Sequence, residues 1–330
     1  VGRNGHRQRN EEDMKWLRQR MFGSLRTGTA EVERQNIAWN MIGSLIYAGS
    51  SMILTALVNH LIGPEQGGIF GFAFSTFGQQ MFLVAYFGMR PFQSTDVNQA
   101  YTFGEYRRVR LYTCVAAVIF GIIYIFVNSF IVPDGYSRQM SLVVFLMVIY
   151  KVLDGFADVY ESEFQREGRL YLTGKAMAYR TILSVILFLG ALYATQDLVF
   201  SCVIAVLAQA AGILLFDWNT IKLVPGVNLS RAAGKSLALI RESFLLFLSV
   251  FLDGLIFAMA KYAVDAQMTS MDTAIFVAVF MPTSVINLAA NFVIRPFLTK
   301  MSYQWEGTTF DVFPRDLKKL MAIILILTII

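Results

Sequence analysis

Residues 140–162 read MSLVVFLMVIYKVLDGFADVYES. The length and almost unbroken apolar character suit a helix crossing a bilayer, which needs ~20 such residues, yet the stretch also carries Lys151, Asp154, Asp158 and Glu161. These four are separated by three, four and three positions, so at about 100° per residue they fall within an arc of about 80° on one helical face. A charge at bilayer depth costs about 2.5 to 3.5 kcal/mol on insertion scales, so a stripe of four turns away from lipid. The stretch therefore predicts a membrane helix whose charged face looks into a bundle.

The remainder of the chain supplies that bundle. Of its 330 residues 56% are hydrophobic and only 15% charged, too much apolar surface for one water-soluble core. Spans are expected near 36–62, 66–89, 110–132, 140–162, 172–195, 197–217, 238–261 and 273–294, with a ninth starting at Leu320. The blocks are continuously apolar and about twice the length of a barrel strand, so an all-α integral membrane protein is predicted. The chain begins without Met and stops inside an apolar run at Ile330, so it reads as a fragment at both ends.

Arg90-Pro91-Phe92 closes the second span and Arg295-Pro296-Phe297 the eighth. Aligned on the two arginines, Leu83 meets Leu288, Ala85 meets Ala290 and Phe87 meets Phe292, and the basic pairs Arg107-Arg108 and Lys318-Lys319 open the following segments. This pattern suggests one bundle written twice. Transporter folds commonly use such duplication, because two similar halves can rock around a shared cavity. The corresponding division is a basic tail 1–35, a six-helix lobe 36–217, a linker 218–237 and the start of a second lobe 238–330.

The tail and the connections after spans two, four, six and eight are assigned 25 of the 28 Lys and Arg, with Arg138, Lys261 and Lys151 left over. By the positive-inside rule this places the N-terminus in the cytoplasm, and it accounts for the net charge of +5 without nucleic-acid binding. Met14, Leu17, Met21 and Leu25, interleaved with Lys15, Arg18, Arg20 and Arg26, fit a short basic helix on an anionic leaflet as well as they fit a solvated leader. Cys114 and Cys202 lie in apolar spans without metal-ligand spacing and read as packing residues.

Candidate site residues follow from polar groups placed at membrane depth. Asp154 is one turn from Lys151 and suits an intrahelical ion pair. The stripe either lines a central cavity, with Lys151 attracting an anionic head group and Asp154 or Glu161 taking up a coupling ion, or locks neighbouring helices together. Asp253 has no basic residue within two turns and is either a second coupling candidate or a hydrogen-bond partner of a neighbouring helix backbone. Gln79 and Gln80, with Asn287 and Asn291 in the comparable region of the second half, could hydrogen-bond sugars or pack helices. Arg90 and Arg295 are expected at helix exits, with Pro following; there a guanidinium either balances the helix dipole or captures a phosphate.

The runs Phe87-Gly88-Met89-Arg90-Pro91-Phe92-Gln93-Ser94-Thr95-Asp96-Val97 and Phe103-Gly104-Glu105-Tyr106 resemble the second-helix end and first inner loop of bacterial polysaccharide flippases. Asp154 through Glu161, Gln165-Arg166-Glu167-Gly168-Arg169-Leu170 and Gly174-Lys175 are similar to that family's fourth-helix exit and second inner loop. The family belongs to the multidrug, oligosaccharidyl-lipid and polysaccharide exporter superfamily. The resemblance implies two six-helix lobes in a V, the second incomplete here with about nine helices present. It also implies alternating access in the bacterial cytoplasmic membrane and an undecaprenyl-diphosphate-linked oligosaccharide as cargo. No cofactor is implied beyond a coupling proton or sodium ion, and the partners would be membrane lipids, glycosyltransferases and a polysaccharide polymerase. Arg90, Asp96, Asp154, Asp158, Gln165 and Gly168 stand at family-pattern positions, whereas Pro91 departs from the pattern.

Two alternatives stand beside this reading. A multidrug exporter of the same fold would carry a small organic cation. A membrane polymerase or acyltransferase would need catalytic loops, and here the loops are mostly under about 30 residues, with no Asp/His or Ser/His pair at helical spacing.

Overall fold

The computed structural model of the protein describes residues 29–96, 99–132, 135–224, 227 and 234–280, and positions 314, 317, 318, 321 and 322. The elements are all helical: α1 (Thr29–Ile62), α2 (Pro64–Gly71), α3 (Gly78–Tyr86), α4 (Met89–Thr95), α5 (Phe103–Phe130), α6 (Arg138–Arg166), α7 (Leu170–Thr195), α8 (Leu198–Gly212) and α9 (Ser236–Gln267), followed by α10 (Ser270–Phe280). A π-helical turn, Phe72–Phe77, joins α2 to α3, and a second, Ile213–Trp218, extends α8. Counting Pro64–Thr95 and Leu198–Ile221 as single passes, seven segments are long and apolar enough to cross a membrane. The expected blocks through residue 261 each correspond to one of these passes. Of the eighth expected span, 273–294, the part to Phe280 is described and is helical; of the ninth, only positions 321 and 322 are described, and residues 288–297 with Arg295, the second copy of the tripeptide, lie outside the described residues.

Apolar surface is distributed as a bilayer requires. Along α5, Leu111, Val115, Ile119, Phe120, Ile123 and Phe126 are exposed, and so are Leu245, Leu252, Ile256 and Met259 on α9. A contiguous apolar face of this size suits hydrocarbon and would be a liability in water. By contrast α6 runs through the middle, where Val143, Val144, Met147, Val148, Ala157, Val159 and Phe164 are buried. Cys114 and Cys202 are unpaired and buried, as expected of packing residues.

Small residues bring α1 and α7 together. A Cβ at Gly43 would stand 2.4 Å from the Gly174 carbonyl oxygen, and one at Gly174 would stand 2.0 Å from that of Trp39. Only glycine allows the two backbones this close, which is how membrane helices gain van der Waals contact without a hydrophobic drive between them.

Two boundaries differ from the sequence expectation. The pass expected from residue 110 begins at Phe103, where Thr102 and Glu105 form a reciprocal capping box, so Arg107, Arg108 and Arg110 are helical. The second pass was expected to end at Arg90-Pro91. Instead it breaks at Phe87 and Gly88, both in left-handed conformation, and Arg90-Pro91 falls in the first turn of α4. Proline is tolerated there because the first helical N–H groups have no intrahelical acceptor.

Candidate functional site

The stripe on α6 depends on how that helix ends. Gly168 adopts φ 70°, the Gly168 amide donates to the Gln165 carbonyl at 3.0 Å and the Arg169 amide to Phe164 at 2.8 Å. This is the pair of bonds of a Schellman cap, which needs glycine at the left-handed position. Asn36 of α1 donates to the Gly168 carbonyl at 2.9 Å and accepts from the Tyr171 amide at 2.9 Å. Thus α1, α6 and α7 are tied together at the end of the bundle where the stripe emerges.

At the deep end of the stripe, the Lys151 ammonium lies 4.1 Å over the ring of Phe74 and donates to the Tyr47 hydroxyl at 3.3 Å. Tyr47 in turn donates to Asp154 at 2.5 Å. The expected direct pair between Lys151 and Asp154 is therefore corrected to a relay through a phenol from α1. The π-helical turn presents Phe74 to the ammonium, while Asp154 turns to Arg180 at 3.1 Å and Gln209 at 3.2 Å.

One turn further, Asp158 sits 3.1 Å from Arg90 and 2.9 Å from Arg110. Glu161 is held by Arg90 at 2.7 Å and Arg180 at 2.8 Å, and Arg180 also reaches Asp217 at 2.7 Å. Four cations thus face four carboxylates: Lys151, Arg90, Arg110 and Arg180 against Asp154, Asp158, Glu161 and Asp217. None of the eight is more than 9% exposed. Charge balance is what makes their burial bearable, since an unpaired ion in the interior would lose hydration with nothing to replace it.

The same residues repair the helix break. Arg110 donates to the carbonyls of Ala85 and Tyr86, and Thr113 to Ala85 at 2.7 Å. These are carbonyls that the end of α3 leaves without intrahelical donors. Arg90, expected to balance a helix C-terminus, sits instead in the opening turn of α4, where the dipole is unfavourable to a cation. The carboxylates of Asp158 and Glu161 offset that.

Beyond Glu161 a second group closes the end of the bundle. Glu163 pairs with Arg166 at 2.5 Å and accepts from Gln93 at 2.7 Å. Asp96 lies 3.6 Å from Arg166 and accepts from Tyr106 at 3.0 Å. Tyr101, between the passes, is pushed up to about 12, first by burial and next by its hydrogen bond to Glu242 of α9. At the opposite end Tyr136 donates to Asp265 at 2.7 Å, and burial raises its phenol, with Asp265 adding to the effect. The two tyrosines anchor both ends of α9 to the preceding passes.

The structure gathers Lys151, Asp154, Asp158, Glu161 and Arg90 into one network and leaves the other candidates apart. Gln80 is buried, and its carbonyl oxygen accepts no hydrogen bond among the described residues; Gln79 is half-buried and Asp253 exposed. Asn287 and Asn291 lie outside the described residues. Four members escaped sequence reasoning. Arg180 and Arg110 are both assigned there to the cytoplasmic belt of charge, yet Arg180 stands about three turns inside α7 and Arg110 about two turns inside α5; Asp217 and Tyr47 carried no signal beyond being polar in or beside a span. A pocket of about 490 Å³ at the other end of the bundle, between Ile62, Gln66, Gln139 and Gln196, is remote from the network.

Compared with known proteins, the chain matches no family model, no curated protein and no solved structure.

Proposed function

We propose that this protein is a transporter that moves an undecaprenyl-diphosphate-linked oligosaccharide from the cytoplasmic to the outer leaflet of a bacterial cytoplasmic membrane. It works by alternating access of two six-helix lobes, with the N-terminus in the cytoplasm. The observation that carries this reading is the buried ionic network inside a shell of apolar helices. A protein needing only to span a membrane can do so with apolar contacts, and replacing a buried ion pair by packed hydrophobic residues is often neutral or stabilising. Charges retained at such depth mark pathways for charged cargo.

The chemistry suits a diphosphate. Guanidinium forks donate to carboxylate and phosphate oxygens with the same bidentate geometry. In this arrangement Arg90, Arg110 and Arg180 are satisfied by carboxylates, so an entering diphosphate would exchange places with Asp158 or Glu161, and a released carboxylate could take up the coupling proton or sodium ion. The resemblance of the segments around Arg90 and Gly168 to polysaccharide flippases supports the glycan half of the cargo, and the bias of Arg and Lys toward the cytoplasmic side read from the sequence favours an anionic lipid over an organic cation.

The test is surface glycan production in cells that depend on the full-length protein. Lys151→Ala and Asp154→Ala are expected to abolish export with membrane insertion intact. Normal surface glycan with either variant would remove that residue from the mechanism.

A further inference from the structure

Outside the network, Arg107 of α5 and Lys222, the residue following the Leu198–Ile221 pass, converge on one indole. The Arg107 guanidinium lies 5.5 Å from the centre of the Trp218 ring, and the Lys222 ammonium lies 4.7 Å from it. Tyr160 meets the same ring edge-on at 6.2 Å and is hydrogen-bonded to Arg107, which fixes the indole and the guanidinium together. Neither cation has a carboxylate within ion-pair distance among the described residues. Two like charges held against one ring, with no carboxylate paired to either among the described residues, repel each other, and an anion reaching both would relieve that.

The surroundings say which anion. Arg107 is in the second turn of α5 and Lys222 just beyond its own pass, so both stand at the border between apolar and polar surface. Directly inside that border Leu111, Val115, Leu214 and Leu215 are exposed. Tryptophan with basic residues at this level is the arrangement that holds a lipid at the membrane interface.

From this geometry we propose that Arg107, Lys222 and Trp218 form a binding site for the phosphate of an anionic phospholipid, whose acyl chains lie along Leu111 and Leu214. The site is independent of the transported cargo: Lys222 is exposed, Arg107 and Trp218 are half-buried at the rim, and neither cation shares an ion pair with the α6 stripe. A bound lipid would bridge α5 and the end of α8 at the rim of the bundle.

Native mass spectrometry of the full-length protein in detergent, titrated with phosphatidylglycerol, phosphatidylcholine or inorganic phosphate, tests this. Phosphatidylglycerol should bind at least about tenfold more tightly than phosphatidylcholine, taking roughly 1 kcal/mol per basic residue. The preference should vanish in Arg107→Gln/Lys222→Gln. Lys222 is exposed, so Lys222→Gln alone keeps the fold and should lose about fivefold. Equal binding of the two lipids, or an unchanged preference in both variants, would overturn the proposal. So would displacement of phosphatidylglycerol by equimolar inorganic phosphate, which would make the site one for free anions.

Discussion

Arg180 of α7 grips Asp217 at 2.7 Å through one amino group while its other amino group stands 2.8 Å from Glu161 and 3.1 Å from Asp154. One side chain therefore joins α6, α7 and the π-helical end of α8. The planar fork suits this, because its donors point in fixed, divergent directions. Such a network adds little net stability relative to an apolar interior, but removing one member strands the others.

Arg180→Ala should cost about 3 to 5 kcal/mol, the range for breaking a buried pair by deleting one partner. The measurement is the denaturation midpoint of the full-length protein in detergent. Arg180→Lys should recover less than half of the loss, since one ammonium cannot hold three carboxylates at once. Full recovery by lysine would show that charge alone matters here.

Tyr47 bridges Lys151 and Asp154, so Tyr47→Phe should destabilise by about 1 to 3 kcal/mol through the buried groups it leaves without a partner. The effects of Tyr47→Phe and Lys151→Met should fall short of additive when combined, because the second substitution removes a group the first one strands. Strict additivity in a double-mutant cycle would mean that the relay has no energetic weight.

Gly43→Ala places a methyl group against the Gly174 carbonyl, a contact the backbones relieve only by moving apart. A loss of about 1 to 3 kcal/mol is expected, typical of forced overpacking. Ala at Gly49, where nothing lies within 4 Å of the added Cβ, is the control and should stay within about 0.5 kcal/mol of the parent.

Asp253 is exposed and makes no ion pair among the described residues, so Asp253→Asn should shift stability by less than about 0.5 kcal/mol. If it carries the coupling ion, turnover should fall and lose its dependence on pH or sodium. Transport with unchanged ion dependence would clear it of that role.

What was legible in the sequence follows from the range of the interactions involved. The α6 stripe depends on spacing within one helix, so Lys151, Asp154, Asp158 and Glu161 could be placed on a common face directly. Their partners could not, because Arg180 and Asp217 reach them only through tertiary packing, and a basic residue in a span that follows a basic loop looks like part of the loop. The break in the second pass was misplaced for a related reason. Pro91 is the conventional helix-breaking residue, but the chain turns four residues earlier, at Phe87, whose left-handed backbone no propensity predicts. The π-helical turns Phe72–Phe77 and Ile213–Trp218 are likewise silent in sequence, although they deliver Phe74 and Asp217 to the network.

The most direct measurement is translocation of a fluorescent undecaprenyl-diphosphate oligosaccharide in proteoliposomes containing the full-length protein, compared between the parent and Lys151→Met. That substitution keeps the side-chain stem against Phe74 but removes one cation of the network, a loss of up to about 3 to 5 kcal/mol, so the two proteins are compared at matched amounts of folded protein. Transfer between leaflets by the parent, lost in the variant, is the predicted result. No transfer by the parent, or the same rate in both, would contradict the assignment of the buried charges to cargo movement.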